Sequence, residues 1–139
     1  MMLIFKWVLV LPVAILSPLV LITGLKVAML ILGFADWRWA FSNESSPLVL
    51  MVEYALFAAV FVLAGVFTAP SNKRTAAVLL ASVFYLYFFA QGFVILLFPE
   101  MIEGWFPIVY GFSSVIAASL ATRAVFRDEN LSFLRHFGQ

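Results

Sequence analysis

Four stretches of the chain are long and apolar enough to cross a bilayer as α-helices, since a span needs about 20 consecutive apolar residues. Short segments rich in serine, asparagine, proline and charged residues separate them. The pattern predicts an all-α integral membrane protein, a four-transmembrane-helix bundle that forms one domain over residues 1–139. The spans are predicted at approximately 7–33, 48–67, 75–98 and 105–126.

The first stretch contains two prolines and Lys26, and it is too long for one untilted span. One interpretation is a single helix that tilts and bends at its prolines. The other is a span that ends near Gly24 and continues through Trp39 as an amphipathic segment on the membrane surface. The pattern alone does not decide between them.

Composition strengthens the membrane assignment and narrows the chemistry. The chain is 65% hydrophobic and 11% charged, whereas a soluble domain is about half apolar and a quarter charged. Cysteine is absent and His136 is the only histidine, so thiolate chemistry, a histidine metal site and a Ser-His arrangement are excluded within one chain. A net charge of +1 gives no reason to expect nucleic acid. We expect no enzyme activity, no catalytic residues, no cofactor and no metal.

The basic residues predict the orientation, because translocated short loops are depleted in Lys and Arg. The N-terminus, the loop between spans two and three, and the C-terminus lie on one side and hold six of the eight basic residues. We therefore expect both termini to be cytoplasmic, with a short amphipathic tail over residues 127–139. The six residues are Lys6, Lys73, Arg74, Arg123, Arg127 and Arg135.

The candidate site is an intramembrane polar cluster around Glu53, about five residues inside span two. An ionisable group at that depth is costly and needs either a partner or its proton. Lys26, Gln91, Ser113 and Ser114 lie at similar depths in the other spans, which predicts a Lys26–Glu53 pair with further hydrogen bonds from the rest. The cluster is either a site for a small ligand, ion or proton, or a structural clamp whose charges also reach the headgroups.

Small residues indicate which faces of the helices pack together, because close approach and interhelical hydrogen bonds stabilise membrane helices. Span four has the clearest small face and is predicted to be the central packing helix, and span three contributes a shorter one. The phenylalanines are expected to face lipid or partner helices. The predicted packing residues are Gly111, Ser114, Ala118 and Ala121 in span four, and Ala77 and Ala81 in span three.

The function that these features favour is a non-catalytic small membrane subunit or accessory protein that packs against a larger membrane-protein partner. The loops are too short to form a soluble domain, and catalytic motifs are missing. The alternative is a small oligomeric transporter or lipophilic-ligand-binding protein that uses Glu53. The expected partners are the lipid bilayer and either that larger protein or further copies of the chain.

In length and span count the chain resembles small four-span bacterial families, such as DoxX-like proteins and small multidrug transporters. This resemblance implies a bacterial-type inner membrane. The multidrug transporters carry a membrane glutamate in their first helix, whereas Glu53 is in the second span here, and that departure argues against membership. The DoxX-like resemblance covers the layout of all four spans without a specific motif.

Overall fold

The computed structural model describes residues 2–34, 47–101 and 106–128. The predicted amphipathic segment through Trp39 and most of the predicted tail lie outside these residues. Within the described part of the chain all regular structure is helical, and four helices are long and apolar enough to cross a membrane. These features indicate a multi-pass membrane protein. The helices are α1 (Met2–Ile31), α2 (Pro47–Thr68), α3 (Lys73–Leu97) and α4 (Phe106–Arg127), with a 3₁₀ turn at Pro99–Met101 between α3 and α4.

Helix α1 is one continuous helix that contains both of its prolines, Pro12 and Pro18. It runs past Gly24 without a break as far as Ile31, which favours the interpretation as a single helix. Its 30 residues would extend about 45 Å at 1.5 Å per residue, against a hydrocarbon core of about 30 Å. The helix must therefore tilt or extend beyond the hydrocarbon, and it begins earlier than the predicted start at residue 7.

A glycine in a left-handed conformation ends α1. Gly33 has a φ of 74°, its N–H donates to Leu30 O at 3.1 Å, and the N–H of Phe34 donates to Met29 O at 3.0 Å. This pair of bonds is the Schellman arrangement, in which the residue after the helix takes a positive φ and the last carbonyls gain donors. Glycine adopts that φ without steric cost, which suits Gly33 to the position where the helix ends.

Helix α2 is the central helix of the bundle. It packs against each of the other three, whereas α1 contacts only α2 among the described helices and α4 contacts α2 and α3. The prediction that span four is the central packing helix is therefore wrong. Ala58, Val62 and Gly65 of α2 are all buried among the neighbouring helices.

Three helices meet at Gly65. A Cβ added there would lie 3.2 Å from the Cβ of Ala14 on α1 and would overlap Cδ1 of Leu80 on α3. A side chain at this position would require Leu80 to shift, so the absence of one helps α1 and α3 to approach α2 here. The predicted packing residues Ala77, Ala81, Ala118 and Ala121 are buried in the same core, together with Ala76 and Val125.

Some phenylalanines lie inside the bundle rather than facing lipid. The Phe61 side chain is only 5% exposed, and its ring lies 5.3 Å from that of Phe84 at an interplanar angle of 84°. Phe57 packs beside both rings, whereas Phe89 is 72% exposed. Edge-to-face contacts of this kind stabilise the α2–α3 interface beyond the apolar area that they bury.

Most of the basic residues of the described chain lie at one end of the bundle, which we call the basic end. Arg74 at the start of α3 donates from Nη2 to Phe126 O at 3.4 Å, and its guanidinium carbon lies 5.7 Å from the centre of the Phe126 ring. This contact holds the start of α3 against the end of α4. The basic end comprises Lys6, Lys73, Arg74, Arg123 and Arg127.

Candidate functional site

The Lys26 and Glu53 side chains form an ion pair between α1 and α2. Lys26 Nζ lies 3.0 Å from Glu53 Oε1, and the side chains are 24% and 21% exposed. Lys26 continues the row of buried residues that packs α1 on α2, which includes Ala14 and Pro18. Ala14 on α1 lies against Gly65 on α2. The same number of residues separates Ala14 from Lys26 as separates Gly65 from Glu53, and the two helices are antiparallel. The contact at Gly65 therefore sets a register that brings Lys26 and Glu53 together.

The pairing offsets the cost of removing these charges from water. An isolated ammonium or carboxylate inside a membrane is expensive, and an opposite charge in hydrogen-bonding range reduces that cost. Because both side chains keep a part of their surface outside the protein, the pair lies on the flank of the α1–α2 interface. This position suits a clamp between two helices, and it also leaves Glu53 accessible from outside the bundle.

The two serines of the predicted cluster bind the backbone of α2 rather than the ion pair. The Ser113 hydroxyl donates toward Met51 O at 3.2 Å and toward Tyr110 O at 2.8 Å. The Ser114 hydroxyl lies 3.4 Å from Tyr54 O and 3.1 Å from Tyr110 O. Each hydroxyl is thus shared between a carbonyl of its own helix and one across the interface, which small residues make close enough to reach.

Gln91 packs at the α3–α4 interface. Its Nε2 donates to the Tyr87 hydroxyl at 2.8 Å, and its Oε1 is buried without a hydrogen-bond partner among the described residues. That oxygen would lie 3.0 Å from a Cβ added at Gly111. The absence of a side chain at Gly111 therefore makes room for the amide, and Gln91 is a packing neighbour of α4.

The structure brings two of the five predicted cluster residues into direct contact and places the other three in separate hydrogen-bonded groups. Lys26 and Glu53 join α1 to α2, while Ser113 and Ser114 join α4 to α2. Gln91 bonds along α3. The arrangement can hold helices together at several points, and the charged chemistry is confined to Lys26 and Glu53.

Sequence reasoning missed two contacts that involve tyrosine. The rings of Tyr54 and Tyr110 stack with centres 5.4 Å apart and planes inclined by 7°. The carbonyl oxygens of the same two tyrosines accept the hydrogen bonds of Ser114. The Tyr85 hydroxyl hydrogen-bonds the Ser119 hydroxyl, so it has a different partner from Tyr87. Helical spacing shows that Tyr85 and Tyr87 point in different directions, but it does not identify the residue that each one meets.

Metal binding finds no support in the described part of the chain, where no group of three or more histidine, cysteine, aspartate or glutamate side chains could hold an ion.

The chain matches no protein-family model, no curated protein and no solved structure.

Proposed function

We propose that the chain is a non-catalytic membrane subunit that packs against a larger membrane-protein partner, and that α1 provides the contact. The observation that supports this proposal is a small-residue face on α1 that the other described helices leave uncovered. Gly24 and Ala28 lie one helical turn apart and are both exposed. A Cβ added at Gly24 would meet nothing within 4 Å.

Small residues one turn apart let a second helix approach closely, which is how membrane helices associate without a hydrophobic driving force. The corresponding small residues of α4 are already used inside the chain, since Ala118 is completely buried and Ala121 is 6% exposed. Gly24 and Ala28 have no such use, because α1 contacts only α2 among the described helices. A transmembrane helix of a partner protein fits this face.

The pairing of the polar groups agrees with a structural role. The hydroxyls of Ser113 and Ser114 bind backbone carbonyls, and the Glu53 carboxylate is engaged by Lys26. Polar side chains whose hydrogen bonds and charges are paired within the chain stabilise the bundle, and they do not form a set of catalytic groups.

Co-purification in mild detergent tests the proposal. The unmodified protein is expected to retain an unlike membrane protein in a fixed ratio, and Gly24→Leu should release it because a bulky side chain keeps the helices apart. Gly92→Leu is the matched control, since Gly92 is also an exposed glycine within a helix and a Cβ there meets nothing within 4 Å. Retention of the partner by Gly24→Leu, or loss caused equally by both variants, would contradict a contact at α1.

A small oligomeric transporter or lipophilic-ligand binder is the second candidate, favoured by the accessible part of Glu53, whose side chain is 21% exposed. Such a protein would purify as a discrete oligomer of this chain alone. Replacement by Glu53→Gln would then abolish ligand binding or transport while leaving the oligomer intact.

For location, we propose a bacterial-type inner membrane with the basic end and both termini in the cytoplasm. The support is the concentration of Lys and Arg at the basic end, because short cytoplasmic segments carry an excess of these residues.

A further inference from the structure

A cavity opens at the basic end, where the start of α1, the end of α2 and the start of α3 converge. Its volume is about 420 Å³, within the range of about 300–1,000 Å³ found for small-ligand pockets. Lys6 and Lys73 line it from two different helices, and Leu9, Phe67 and Thr68 are among its other walls. The cavity therefore has charged and apolar sides.

The charged side suits an anion. Neither Lys6 nor Lys73 forms an ion pair with a carboxylate within the described residues. The cavity also lies at the N-terminus of α3, which begins at Lys73, and the Asn72 side chain makes no capping hydrogen bond. The positive end of the helix dipole and the two ammonium groups thus attract negative charge to the same place.

The apolar side suits a hydrocarbon chain. The Leu9 side chain is 39% exposed and that of Phe67 is 68% exposed, so both continue from the cavity onto the outer surface of membrane-spanning helices. A ligand that fits both sides carries an anionic group joined to an acyl chain. Basic pockets between transmembrane helices at the membrane surface recognise anionic lipid headgroups in this way.

We propose that this cavity binds one anionic phospholipid. Its phosphate lies between Lys6 and Lys73, its glycerol lies near Thr68, and the first part of an acyl chain follows Leu9 and Phe67. The site is independent of the proposed partner contact on α1 at Gly24, which lies toward the other end of the helix.

Native mass spectrometry of the full chain in mild detergent, titrated with lipid, tests the site. One molecule of phosphatidylglycerol should bind per chain in preference to zwitterionic phosphatidylcholine. The double variant Lys6→Gln with Lys73→Gln should weaken phosphatidylglycerol binding by about 30-fold, or about 5-fold for each lysine, since a basic residue near the membrane surface contributes about 1 kcal/mol. Lys6→Arg with Lys73→Arg should restore it.

The control is Arg123→Gln with Arg127→Gln, which removes two charges from the same end without altering the cavity lining and should leave binding within about 2-fold. Equal binding of the two lipids by the unmodified protein would overturn the proposal without reference to any variant. A soluble competitor separates the two sources of phosphate: glycerol phosphate that binds as tightly as the lipid would identify a free-phosphate site instead. Equal losses in the lysine and arginine double variants would show attraction to the whole basic end and would also overturn the proposal.

Discussion

Replacing Glu53 by glutamine should destabilise the bundle because Lys26 would lose its opposite charge. The change keeps the size of the side chain and leaves an ammonium whose desolvation is no longer offset. Removing one partner of a fully buried pair costs about 3–5 kcal/mol, and exposed pairs contribute about 0.2–1 kcal/mol. With side chains that are 24% and 21% exposed, we expect a loss between these limits, at about 1–3 kcal/mol.

The double variant, Lys26→Met with Glu53→Gln, should recover much of that loss because it removes both charges together. Thermal unfolding of the unmodified protein, the two single variants and the double variant in mild detergent, followed by helical circular dichroism, isolates the interaction of the pair. We expect a coupling of about 1–2 kcal/mol. A matched cycle of Lys26→Met with Glu100→Gln should show no coupling, since Glu100 is an exposed carboxylate in the 3₁₀ turn.

A coupling indistinguishable from zero would refute the structural clamp. A protein that uses Glu53 for protons or cations would behave differently, because the carboxylate would be maintained at a cost to stability. In that case Glu53→Gln should leave the unfolding temperature unchanged or raise it, and activity should be lost. If Glu53→Gln leaves both the stability and every measurable function of the protein unchanged, Glu53 is not part of a functional site.

Two further predictions concern topology and packing. Reporters fused after Gln139 and inserted near Asn72 should be cytoplasmic and one near Ser45 external, and an external C-terminus would overturn the four-span arrangement with both termini inside. Gly65→Ala should lower stability by about 1–3 kcal/mol through overpacking where three helices meet. Gly92→Ala should be neutral or slightly stabilising, because a Cβ there meets nothing within 4 Å. Equal unfolding temperatures for the two alanine variants would show that Gly65 is not a close-contact position.

Hydropathy predicted the four helices because each span must satisfy its backbone hydrogen bonds internally and be apolar over its whole length. Because each helix is apolar on all sides, hydropathy does not show which face of the helix lies inside the bundle. In a soluble helix a polar face marks the outside, but Phe61 and Phe89 are chemically identical, although one is buried and the other faces outward. The central position of α2 could not be predicted for the same reason.

Charge was more informative than apolar pattern. Glu53 and Lys26 are rare groups at similar depths, and the cost of leaving either without a partner makes their pairing predictable. The acceptors of the serines were not predictable, because Met51 and Tyr54 contribute only backbone carbonyls, and every residue has one of those. The cavity between Lys6 and Lys73 depends on how three helix ends converge, which spacing along one helix does not specify.

Among the described helices α1 contacts only α2, which allows these two helices to pair before the rest of the bundle is synthesised. Adjacent helices can pair as soon as both have left the ribosome, so the α1–α2 hairpin, closed at Gly65 and at the ion pair, needs nothing that is translated later. The interface between α2 and α4 is different, since α4 follows both α2 and α3 in the chain and is made after them. Until then the Ala58 and Val62 face of α2 is open to other helices in the membrane, and the arrival of α4 closes it.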